Sequence, residues 1–198
     1  MPKPITEYER EQIKKSIIKH THQLILDRKG IKTITVDDII RTAVMGKSTF
    51  YSIYKSKEAC FCDVIENEFI TSLEKADLLR QQEMTSEERT VRFFREVYLA
   101  KNSIGNYVTE VDIESIFRKL PPEYNEKKQM LMGGGIIKYV IEELGYNETQ
   151  AETLNLLLSY VDNVFTSNYG SERAKEEAID CLIQMLVEFF KKNKNIEK

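Results

Sequence analysis

The chain has 198 residues, 41% of them apolar and 31% charged, with a net charge of −3. That is room for one large domain or two smaller ones, and too much apolar content for a disordered chain. No apolar run approaches the roughly 18 residues that span a bilayer. The opening MPKPITEYEREQ lacks a hydrophobic signal core, and Cys60, Cys62 and Cys181 lack the paired spacing of a disulfide framework or a zinc site. These features point to a cytoplasmic protein.

Charge is distributed unevenly. Residues 1–57 carry twelve Lys/Arg against six Asp/Glu, a balance of +6, while the remaining 141 residues sum to −9. A basic head on an acidic body suits a polyanion partner for the head alone, although clustering on solvated helix faces would give the same count.

Helical spacing runs along the whole chain, and no window alternates apolar and polar residues between hairpin dipeptides, so the expected fold is all-α. Ile13, Ile17, Thr21 and Leu24 form the first stripe, ending near Lys29 with Gly30 as the left-handed residue. Thr35 with Asp38 makes a capping-box start for a short second helix carrying Val36, Ile39, Ile40 and Ala43. The turn Val44-Met45-Gly46 leads to a third helix, Lys47 to about Ile53. Ser56 caps a fourth, with Cys60, Val64, Ile65, Phe69, Leu73 and Leu78 inward. Thr85 and Glu88 start a fifth, ending at Asn102-Ser103. A shorter one spans Tyr107 to Lys119 before Pro121-Pro122, and another runs on to Leu144 with Gly145 as its cap. Asn147 and Ser171 open the last two.

Enzyme constellations are missing: no Walker loop, no Gly-x-Ser-x-Gly, no His-Glu-x-x-His, so neither an enzyme nor a bound cofactor is expected. His20 and His22 stand two apart on a helix and cannot share a metal, and Cys60 with Cys62 reads as core. Gly133-Gly134-Gly135, inside a helical pattern, suits a helix break or a close backbone approach.

The strongest constellation covers residues 34–58: two short helices on a tight turn inside the basic segment, the pattern of a helix-turn-helix. Lys47, Ser48, Thr49 and Tyr51 stand near the start of its second helix and can reach base edges or phosphates, with Phe50 and Tyr54 packing inward. Lys55 and Lys57 extend a phosphate-facing rim.

Thr35 to Ala43, Lys47-Ser-Thr-Phe-Tyr51, Tyr54 and Lys55-Ser-Lys-Glu58 together resemble the N-terminal domain of the tetracycline-repressor (TetR) family over roughly residues 7–65. The resemblance implies a three-helix DNA-binding head, 1–55, and a helical ligand-binding and dimerisation body, 56–198. It implies a repressor, acting as a homodimer, that leaves a pseudo-palindromic operator when a small-molecule effector binds the body. It makes Lys47, Thr49 and Tyr51 DNA contacts, and gives phosphates to Thr35 and Lys57. Val44 stands where the family commonly has Gly, and Gly46 where a Ser or Thr cap is common. Tyr98, Tyr107, Phe117 and Tyr139 are candidates to line the pocket. The last two helices would form the interface through Leu156, Tyr160, Ala178, Leu182, Met185 and Phe189. The competing expectation is a helical small-molecule-binding protein or enzyme with a basic N-terminal extension.

Overall fold

The computed structural model describes residues 5–132, 147–167 and 169–194. The described residues form helices and turns with no strand: α1 (Glu7–Arg28), α2 (Val36–Thr42), α3 (Lys47–Ile53), α4 (Lys57–Arg80), α5 (Ser86–Phe93), α6 (Glu110–Phe117), α7 (Asn125–Met132), α8 (Glu148–Thr166) and α9 (Glu172–Lys194). None of these helices is long and apolar enough to cross a membrane. The chain divides into two compact units, Met1–Phe69 with Tyr107–Gly133 and Ile70–Asn106 with Gly134–Lys198. The helix expected to run to Leu144, its Gly145 cap and Gly133-Gly134-Gly135 lie wholly or partly outside the described residues.

Local chemistry sets the helix starts. Thr6–Glu9, Thr35–Asp38, Thr85–Glu88 and Thr109–Asp112 each close a reciprocal capping box, in which the threonine hydroxyl accepts from the N3 amide and the N3 carboxylate accepts from the threonine amide. Ser56 and Ser171 accept from the amides of Ala59 and Ala174, both at 3.2 Å, as the sequence predicts. Asn147 and Gln150 bond reciprocally at the start of α8.

Helix ends differ more from expectation. At the end of α1 the left-handed residue is Lys29 (φ 49°), not Gly30. The Gly30 amide bonds to Ile25 O and the Lys29 amide to Leu26 O, a Schellman closure that places the left-handed turn one residue earlier. Gly30 then takes φ 146°, a region open essentially to glycine alone. The end of α2 repeats the motif, with Met45 N–H to Ile40 O and Val44 N–H to Arg41 O. Here the left-handed residue is Val44 (φ 52°), a strained setting for a β-branched side chain. Gly46, at φ −80°, is the N-cap of α3 and supplies no side-chain bond.

In the first unit α1, α2 and α3 pack on one another around Ile17, Ile25, Ile34, Ile39 and Phe50, all fully buried. Cys60, Val64 and Ile65 of α4 are buried as expected. Further along α4 it is Ala76 and Leu79 that turn inward, while Leu78 is exposed, because a helix advances 100° per residue and the apolar stripe drifts. In the second unit α5 ends earlier than expected, passing at Phe94–Tyr98 into a π-helical turn. Phe93, Phe94, Val97, Leu154, Leu158, Ile183, Leu186, Val187 and Phe190 make its core. The helix expected from Tyr107 to Lys119 starts only at Glu110, because Thr109 caps it, and ends at Phe117.

Candidate nucleic-acid interface

The segment α2–turn–α3 exposes polar and basic side chains together with Tyr51, and buries Phe50. Phe50 and Tyr54 face inward as predicted, 0% and 5% exposed, their ring centroids 5.8 Å apart. Lys47, Ser48, Tyr51 and Lys55 are exposed and Thr49 is half-buried, so the outer side of α3 offers hydroxyls, an ammonium and a phenol together. Tyr51 is held edge-on against Phe50, centroids 5.4 Å apart, which orients its ring without covering it.

The charges on this face are largely tethered. Lys47 Nζ lies 3.2 Å from Asp37 Oδ1, and both side chains are more than half exposed. Such a pair contributes little and can be exchanged for a stronger anion. Thr35 donates both its amide and its hydroxyl to Asp38 Oδ2, at 2.9 and 2.6 Å, so the groups the family resemblance gives to a phosphate are bonded within the capping box. Those bonds from Thr35, its hydroxyl first, hold the Asp38 carboxyl below the usual carboxylate range, and Arg28 and Arg41 reinforce them. Lys57 Nζ donates to Ile34 O at 3.1 Å and sits 5.9 Å from the Phe61 ring centroid, half-buried with donors to spare.

Beneath α3 lies a cluster that sequence reasoning missed. Asp63, 8% exposed in the second turn of α4, accepts from Tyr54 Oη at 3.2 Å and Lys14 Nζ at 2.8 Å on one oxygen, and from Lys127 Nζ at 2.9 Å on the other. Lys127 also pairs with Glu66. Burial pushes the Asp63 pKa up, but the bonds from Lys14 and Lys127 outweigh it and the group is held below the ordinary range. Burial, then the Asp63 charge, drives the Tyr54 phenol far above its ordinary value, so it remains a donor. The only signal in the sequence is a single Asp between apolar neighbours, Cys60-Phe-Cys-Asp-Val-Ile65.

The remaining candidates are dispersed. Tyr107 is half-buried and Phe117 buried in the first unit, whereas Tyr98 packs half-buried on the core of the second. Tyr139 lies outside the described residues. Leu156, Tyr160 and Met185 are 66%, 65% and 54% exposed. Ala178 is half-buried, and Leu182 and Phe189 pack partly against the core of their own unit. Cys60 and Cys62 are buried, their thiols pushed up to about 12 by that burial. His22 Nε2 meets Glu68 at 2.9 Å and His20 Nδ1 meets Ser16 O at 2.7 Å. Among the described residues no group of three or more His, Cys, Asp or Glu could hold a metal.

Compared with known proteins, the chain matches no family model and no curated sequence.

Proposed function

We propose that this chain is a DNA-binding transcription regulator of the TetR type, cytoplasmic and homodimeric, that releases a pseudo-palindromic operator when a small molecule binds its second, acidic part. The observation that carries this reading is α3. It is anchored from below by Phe50 and Tyr54 and presents Lys47, Ser48, Thr49 and Tyr51 outward from a segment with a +6 charge balance. A helix presenting hydrogen-bonding side chains from its first turns is what the major groove accepts, and the helix-turn-helix is the arrangement that inserts one. Lys55 and Lys57 follow α3 in the same basic segment and would serve phosphates, where charge adds affinity without sequence preference.

Two heads are needed to read both halves of such an operator, about 34–36 Å apart. Tyr160 on α8 and Met185 on α9 are large apolar side chains left exposed, and support these helices as the homodimer surface. Tyr160→Glu with Met185→Glu tests this more cleanly than charges at Leu182 and Phe189, which also serve their own core. The expected product is a folded monomer by sedimentation.

The deciding experiment titrates the chain against DNA from upstream of its own gene in rising salt. Wild type should bind with a salt-dependent affinity, and Thr49→Ala and Tyr51→Ala should weaken sequence-specific binding with helical content unchanged. Two variants that bind like wild type remove α3 from the interface. A wild type with no salt-dependent affinity removes DNA binding altogether.

A further inference from the structure

Asp63 takes donors from three separate helical elements: α1 through Lys14, the C-cap of α3 through Tyr54, and α7 through Lys127. Lys14 and Tyr54 share Oδ2, leaving Oδ1 to Lys127. With Glu66 the cluster holds two carboxylates and two ammonium groups, so it is neutral only when Lys127 is in place. A buried, fully bonded carboxylate tolerates little displacement, because each partner that leaves uncovers part of its desolvation cost. Tyr54 immediately follows α3, and its amide closes that helix on Phe50 O at 2.9 Å. Phe50 in turn supports Tyr51 edge-on. A continuous path of contacts therefore runs from Lys127 through Asp63, Tyr54 and Phe50 to Tyr51, all within the first unit.

We propose that Asp63, set by Lys127, is the positioning group for the groove-facing helix: it fixes the C-terminal end of α3 through the Tyr54 hydroxyl and makes the placement of α3 depend on α7. This rests on the DNA-binding reading for its consequence, but the coupling itself belongs to the fold. Neither Lys127 nor Tyr54 needs to touch DNA, so their effect falls on how well α3 fits a specific sequence and not on phosphate contact. Glu66 competes for Lys127, which lets α7 loosen its hold on Asp63 by small displacement without stranding an ammonium group.

The test has two readouts on Lys127→Met, Lys127→Arg and Tyr54→Phe. The first is amide hydrogen exchange, which needs no DNA. Lys127→Met and Tyr54→Phe should each speed exchange in α3 by about tenfold, as loss of a hydrogen bond to a charged group implies. Amides of α1 should stay near wild type, and Lys127→Arg should restore much of the protection. The second is the ratio of specific to non-specific DNA affinity, which should fall in Lys127→Met and Tyr54→Phe with the salt slope unchanged. In the double variant the two losses should be less than additive. Uniform loss of protection across the unit, or a drop in melting temperature with an unchanged affinity ratio, overturns the proposal and leaves Lys127 a plain stabilising contact. If wild type binds no DNA, the exchange readout still decides the coupling, and only the DNA reading falls. Should Lys127→Met not fold, Tyr54→Phe, which loses a single hydroxyl, carries both readouts.

Discussion

The two compact units are held together by different physics. In the first, three carboxylates among the described residues are buried, Asp38, Asp63 and Asp112, each bonded to a threonine, a tyrosine or a cation. In the second, the buried polar residues among those described are uncharged, Ser72, Ser103 and Asn106, and the core is a stack of rings and aliphatic chains in which Phe94 meets Phe93, Tyr98 and Phe190. Its ion pairs lie outside, as in Lys101–Glu176 and Arg95–Asp180. Directional bonds to buried charge define one geometry, whereas apolar contact tolerates repacking at modest cost.

The largest expected effect is on the apolar side. Phe94→Ala should lower unfolding free energy by about 3–5 kcal/mol, measured by urea denaturation. A loss below about 1 kcal/mol would mean the aromatic stack is not what holds the second unit. Next comes Asp63→Asn, expected to cost about 2 kcal/mol at neutral pH as a charged hydrogen-bond acceptor is lost. Its sign with pH is fixed by the lowered pKa of Asp63. Ionised Asp63 favours the folded chain above the ordinary value near pH ~4, and the benefit fades as pH falls through the lower folded value. The gap between wild type and variant should therefore narrow on acidification below that point. A gap independent of pH would make the contact one of shape.

Val44→Gly should act in the opposite direction. Val44 is 89% exposed, so nothing is lost in packing, and removing a left-handed β-branched residue should raise stability by about 1 kcal/mol. Calorimetry that finds no rise would show the turn relaxing around Val44. The smallest effect belongs to Lys101→Ala, which breaks a pair whose side chains are 88% and 60% exposed. Its melting temperature should match wild type within error.

What could be read from the sequence was what a few neighbouring residues decide. Thr35 with Asp38, Thr85 with Glu88, Ser56 and Ser171 carry their helix starts within four positions, and Phe50 and Tyr54 announced the inner side of α3 by spacing alone. The polar side of α3 was legible for the same reason. The Asp63 cluster was not, because its members at 14, 54, 63 and 127 have no local pattern and meet only after tertiary packing. The exchange of Leu78 for Leu79 and of Gly30 for Lys29 are one-residue slips, where helical drift and the exact hydrogen-bond closure decide and composition does not.

The unequal capping of the helices also has a kinetic consequence. α1, α2, α5 and α6 each begin with a threonine–carboxylate box, so the costly first turn is rewarded by contacts three residues apart, before any distant part of the chain arrives. Helix α3 follows Gly46, an N-cap with no such bond, and is only seven residues long. It cannot nucleate alone and must wait for Phe50 and Tyr54 to find the surface made by its neighbours. In a folding experiment α3 should therefore gain its amide protection late, with the collapse of the first unit, and lose it early on unfolding.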